Sequence, residues 1–217
     1  MIPGLSEVAA LDAADPLRAM RDLFHLPSDV IYLDGNSLGP APKSVFAELE
    51  RTARQEWAEG LIRSWNTAGW FALTDTLGDR VGRLIGAEPG ETVVTDTTSI
   101  NVYKALHAAL SLRPDRATIL AEADSFPTDL YMAEGVAASR AGVTLRLAPS
   151  GTDLGSLIDD QTAAVLINHV DYRTGTLRDM AGLTKQAHAA GALVVWDLCH
   201  SVGALPIALN AADADFA

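Results

Sequence analysis

Two kinds of hydrophobic pattern divide this chain. Before Gly90, apolar residues recur at helical intervals. Val45, Phe46, Leu49, Ala53 and Trp57 share one face of a helix that should start near Lys43. Trp70, Leu73, Leu77, Val81, Leu84 and Ile85 form a second such stripe. After Gly90, short runs that are apolar throughout alternate with helical stretches. Glu91–Asp96, Ala117–Ala123, Val143–Pro149, Thr162–Asn168 and Ala192–Asp197 read as strands, and Ser99–Leu112, Pro127–Gly142 and Leu183–Gly191 as helices. Strands without polar alternation are buried on both faces, and strands separated by helices pair in parallel. The predicted fold is α/β, a mostly parallel sheet flanked by helices.

The N-terminal part reads differently. Pro16 and Pro27 punctuate an arm over residues 1–30, and Ile31–Pro42 is a loop, with Gly35, Asn36, Gly39, Pro40 and Pro42 in it. The predicted division is an arm and first helix over residues 1–60 and a sheet domain over 61–217.

In open parallel sheets, ligands bind beyond the carboxyl ends of the strands. Thr97, Thr98 and Ser99 lead from the first predicted strand into a helix. Such a helix start is a phosphate site, although alone it is equally an N-cap. Phe126 precedes Pro127, Thr128 and Asp129 at another strand end. A phenyl group there could lie over a planar ring, or could staple the helix start. Asn168 and His169 sit at the end of the fourth strand; His169 reads as a packed or exposed histidine rather than a catalyst, and Tyr172 and Arg173 as turn residues. Asp197 ends the last strand, with His200 three residues on. Asp197 could cap the next turn, the usual role of an Asp after a strand; a functional reading needs a cationic partner for a buried carboxylate, and a protonated pyridine nitrogen is a suitable one. A phosphate-binding helix start, a ring-stacking Phe and a ring-nitrogen carboxylate on one sheet match pyridoxal 5′-phosphate (PLP). A dinucleotide or nucleoside triphosphate fits less well, because neither G-x-G-x-x-G after a strand nor a Walker A loop is present.

Composition narrows the partners. The 217 residues suit one large domain or slightly more. A net charge of −12 disfavours nucleic acid and anionic membranes. Cys199 is the single cysteine, so no internal disulfide forms and a reducing cytoplasm is expected. The acidic N-terminus is not a secretory signal, and no apolar run approaches the ~18 residues of a membrane span. No metal site is expected.

The segments YLDGNSLGP, TDTTSINVYKAL, SFPTDLY, VDYRTGTLRDM and VVWDLCHSVGALP resemble, in order, those of the kynureninase family. These are PLP-dependent enzymes of fold type I, the aspartate-aminotransferase-like group. The resemblance runs from about residue 30 to the end. It implies an incomplete large domain of that fold and hydrolysis of L-kynurenine or its 3-hydroxy form, L-kynurenine giving anthranilate and L-alanine. It also implies a homodimer. By this resemblance Thr98 and Ser99 hold the phosphate, and Phe126 stacks on the ring within Phe126–Pro127–Thr128–Asp129. Asn168 is a polar cofactor contact, Asp197 the ring-nitrogen partner and His200 its neighbour. Asn36 and Ser37 lie near the substrate, and Trp57 or Trp65 lines an aromatic pocket. The family's Schiff-base lysine follows an ADFA-like segment, so it is expected beyond Ala217, with this chain inactive alone. Lys43, Lys104 and Lys185 all fall on predicted helices. Two other readings stay open: a different fold type I enzyme, such as a cysteine desulfurase or aminotransferase, and a non-catalytic PLP-binding module.

Overall fold

The computed structural model describes residues 4–217. They fall into two compact units, one ending at Phe71 and the other spanning Ala72–Ala217. The sequence expectation placed this boundary at residues 60–61.

The first unit is helical. Helix α1 spans Leu5–Ala14, α2 spans Ser44–Arg51, and α3 spans Ser64–Thr67. The helix expected from Lys43 onward does run through Trp57, but in two geometries. From Thr52 to Gly60 it widens into a π-helix, closed by Leu61 at φ 52°. Glu56 fastens this stretch. Its carboxylate accepts from Trp70 Nε1 at 2.6 Å and pairs with Arg51 at 2.7 Å, while its carbonyl accepts from Ser64 Oγ at 2.6 Å.

The second unit holds the sheet. Helix α4 spans Leu73–Ile85 and α5 spans Thr98–Leu112, followed by strand β1, Thr118–Glu122. Helix α6 is Pro127–Ser139, β2 is Thr144–Ala148, β3 is Thr162–Asn168, α7 is Met180–Ala190 and β4 is Leu193–Asp197. All pairings are parallel, in the order β2-β1-β3-β4. Alternate strand residues serve opposite faces. Leu120, Val165, Ile167, Val194 and Trp196 pack with Ile85 of α4 and with Met180 and Ala187 of α7. Ile119, Ala121, Leu166 and Val195 pack with Leu106 and Leu110 of α5 and with Ala133 and Val136 of α6. Cover on both faces explains why β3 and β4 carry no polar alternation. At the amino end of the sheet, Arg116 donates to the carbonyls of Thr162 and Ala190, and Arg113 to that of Gly191.

The strand expected over Glu91–Asp96 does not form. Its Val93 and Val94 are exposed, and a cavity of about 700 Å³ separates it from the Ala214–Ala217 end of the chain. A strand exists only through a neighbouring ladder. The free edge of β4 is instead met by Phe216, which bridges Val195 in parallel. The second stripe also packs unexpectedly. Helix α4 buries Gly78, Gly82 and Ile85, and leaves Leu73 and Leu84 exposed. Glycine allows the backbone of Thr92 to approach, since a Cβ on Gly78 would lie 1.9 Å from its carbonyl oxygen.

Gly86 ends α4 at φ 70°, tied to the C-terminal segment by Leu209 N donating to Ile85 O at 2.9 Å. A Cβ there would lie 2.7 Å from Ala208 Cα and 2.9 Å from Ile207 O, both backbone atoms. Gly86→Ala should therefore cost about 2 kcal/mol or more, through left-handed strain and collision together. Urea unfolding tests this, and an unchanged midpoint would refute it.

Candidate functional site

The strand order reverses direction between β1 and β3, because β1 connects outward to β2 and β3 to β4. Ligand crevices open at the carboxyl side of such a switch point. The β3–β4 register sets Asn168 directly opposite Asp197, so two polar side chains end an otherwise apolar pair of strands.

Asp197 is 6% exposed. Its Oδ1 accepts from Cys199 N at 2.8 Å, and its Oδ2 accepts from Asn168 Nδ2. No cation reaches it among the described residues. The nearby basic groups are committed elsewhere: Arg173 to Asp124, Arg178 to Glu122 at 2.7 Å, and Lys104 to Asp96. Asn168 also accepts from Phe126 N at 3.3 Å and donates to Asp129 Oδ2 at 3.2 Å. Asp129 lies in the first turn of α6, and burial with the neighbouring Asp197 charge pushes its carboxyl up to about 7.

The helix starts complete the crevice. Thr97 caps α5, its side chain accepting from Ile100 N at 3.4 Å, and Thr98 Oγ1 rests 3.3 Å from Cys199 Sγ. That contact joins the α5 start to the loop after β4. Ser99, Pro127 and Thr128 occupy the first turns of α5 and α6. Phe126, His200 and Tyr172 form a ring cluster, with centroids 5.1 Å apart for Phe126–Tyr172 and 6.0 Å for both others. His169 is buried edge-on against Trp196, as a packed histidine should be. Sequence reasoning gave Tyr172 and Arg173 to the turn and missed their place here. Arg173 lies over the Tyr172 ring and pairs with Asp124, which also accepts from Ser150 Oγ at 2.7 Å.

The structure thus brings Thr98, Phe126, Asp129, Asn168, Asp197 and His200 to one end of the sheet. Asn36, Ser37, Trp57 and Trp65 belong to the first unit. Asn36 and Ser37 sit in an exposed turn where Ser37 N donates to Asp34 O at 3.2 Å. Trp57 is 70% exposed on the π-helix, and Trp65 meets Trp70 edge-on. Among the described residues no group of three or more His, Cys, Asp and Glu side chains could hold a metal, and no helix is long and apolar enough to cross a membrane.

The donor set fits PLP. The α5 start offers N–H groups and hydroxyls for a phosphate, and Asp197 is a buried carboxyl group met by no cation among the described residues. Asp129 Oδ1 and His200 Nδ1 are buried atoms with no protein partner.

Cys199 is exposed as a residue, but the packing around its sulfur and the Asp197 charge push the thiol up to about 11. At about pH 8 the thiolate should be roughly 100-fold scarcer than for an ordinary thiol, and iodoacetamide alkylation correspondingly slower. Asp197→Asn should speed it. An ordinary rate in the unsubstituted protein would contradict this electrostatic picture.

Residues 31–217 match the family model described as Aminotransferase class-V. The chain is 51% identical over 217 residues to a kynureninase of Pseudomonas fluorescens, covering 98% of this chain and 52% of that protein. It is 51% identical over 214 residues to a kynureninase of Burkholderia pseudomallei (strain K96243), covering 96% of this chain and 51% of that one. The chain spans about half the length of the curated relatives it matches. Among solved structures, a C-DES mutant with glycine covalently linked to its PLP cofactor superposes with a TM-score of 0.76 at 16% identity, covering 90% of this chain and 53% of that one. The cysteine desulfurase of Thermococcus onnurineus NA1 gives 0.71 at 21% identity, covering 91% and 51%. These two likenesses speak for the fold, and the match over residues 31–217 for the lineage: the chain belongs to the aminotransferase class-V family.

Proposed function

We propose that this chain forms the cofactor-cradling part of a PLP-dependent kynureninase, acting on L-kynurenine or 3-hydroxykynurenine. The observation that carries the proposal is Asp197: a buried carboxylate at a strand end, held by two hydrogen bonds and met by no cation among the described residues. The half-identity to kynureninases across nearly the whole chain supports the substrate class. PLP, when bound, supplies an electron sink for the carbon attached to the substrate amine.

The chain's own residues do the holding. In this reading Thr98 and Ser99 bind phosphate at the start of α5, where N–H groups and the helix dipole favour an anion. Phe126 presents a ring face, and Pro127 and Thr128 fix the α6 start that carries it. Asn168 orients Asp197, and Asp197 keeps the ring nitrogen protonated. His200 completes the wall beside Phe126. Asn36, Ser37, Trp57 and Trp65 are proposed to serve the substrate. Within the sheet unit, Lys104 is paired with Asp96 and Lys185 lies on α7. The lysine that holds the aldehyde is therefore proposed to come from polypeptide outside residues 1–217, in an intact cytoplasmic homodimer.

The test is kynurenine cleavage by the intact polypeptide that contains these residues, followed by anthranilate fluorescence with and without PLP. PLP-dependent turnover is expected, and Asp197→Asn should lower kcat/KM by about 100-fold or more. Preference for cysteine or for an amino-group acceptor would instead indicate another fold type I enzyme. Saturable PLP binding without turnover would indicate a binding module.

A further inference from the structure

Two carboxyl groups and one amide share the carboxyl end of the sheet. Asp129 is 1% exposed, Asp197 nearly as buried, and Asn168 stands between them. The amide has one orientation. Its Oδ1 accepts from Phe126 N, so its Nδ2 must face the acids, and both of its hydrogens are spent there, one on each. Asp197 Oδ1 takes the Cys199 amide. Every oxygen of the pair then has a donor except Asp129 Oδ1, which is buried with no partner.

The groups facing Asp129 offer no cation. They are the Asp197 carboxyl on β4 and the Cys199 thiol after it. Two ionised carboxylates so close in a dry pocket repel each other. One proton removes the repulsion and lets one carboxyl group of the pair donate to the other.

We infer that Asp129 is a positioning residue. It carries the single proton of the pair, so the strand end presents one negative charge, on Asp197, oriented by Asn168 and the Cys199 amide. The inference rests on the cofactor reading above, because the oriented charge is what the ring nitrogen of PLP would meet. Asp129 acts through Asp197 and needs no cofactor contact of its own.

The experiment has two arms. In the first, ¹³C NMR of cofactor-free protein labelled at aspartate Cγ follows each carboxyl from about pH 4 to about pH 9. One resonance should titrate near 7 and be missing in Asp129→Asn. Titration of every aspartate below about pH 5 overturns the inference. In the second, PLP is titrated into the protein and tryptophan quenching is read. Asp129→Asn, a neutral isostere, should weaken binding by about threefold at most, and Asp129→Ala by about tenfold or more, since it strands an Asn168 hydrogen. Equal damage from both overturns the inference. If the alanine variant does not fold, the asparagine variant and the carboxyl titration decide. Absence of PLP binding to the unsubstituted protein would sink the cofactor reading, while the carboxyl titration stands or falls by itself.

Discussion

A carboxylate taken out of water is tolerable only if something answers its charge. At the end of β4 the protein supplies two hydrogen bonds to Asp197 and no cation, and the rest of the site is arranged around that shortfall. The β3–β4 register fixes Asn168 beside it. The start of α6 fixes Asn168 in turn, through the Phe126 amide, and places Asp129 on its far side. The turn after β4 returns the Cys199 amide to Asp197 and carries the thiol to the start of α5. Two strand ends and two helix starts are thus linked around one carboxyl group. Arg173, Arg178 and Lys104 take other carboxylates as partners.

The sheet makes this arrangement rigid by dividing labour between its ends. At the amino end, Arg113 and Arg116 donate to backbone carbonyls of β3 and of the α7 terminus, contacts that hold layers together. At the carboxyl end, polar side chains are turned toward one another and toward the crevice. Helices on both faces bury β3 and β4 completely, so these strand ends are positioned by a close-packed core. Trp196, immediately before Asp197, shows the coupling: its ring fills the core and its Nε1 donates to Thr184 of α7 at 3.2 Å.

Much of this was legible in the residues. The runs TILAE, TAAVLIN and LVVWD declare buried parallel strands, and the sheet rule then points to Phe126, Asn168 and Asp197. What stayed illegible depended on neighbours. Glu91–Asp96 has strand composition but joins no ladder, so it remains irregular, with Asp96 at φ 45°. Helix α4 buries its glycines because the backbone of Thr92 comes close, which a hydrophobic stripe cannot announce. Tyr172 and Arg173 looked like turn residues because only the folded turn brings them to Phe126 and Asp124. The Asp129–Asn168–Asp197 group draws on three separate elements, so no local spacing reveals it.

If Asp197 answers a protonated ring nitrogen, ¹⁵N NMR of the intact protein loaded with PLP labelled at its ring nitrogen should show a pyridinium shift in the unsubstituted protein and a neutral pyridine shift in Asp197→Asn. A neutral nitrogen in the unsubstituted protein, or a pyridinium that survives the substitution, would contradict that role.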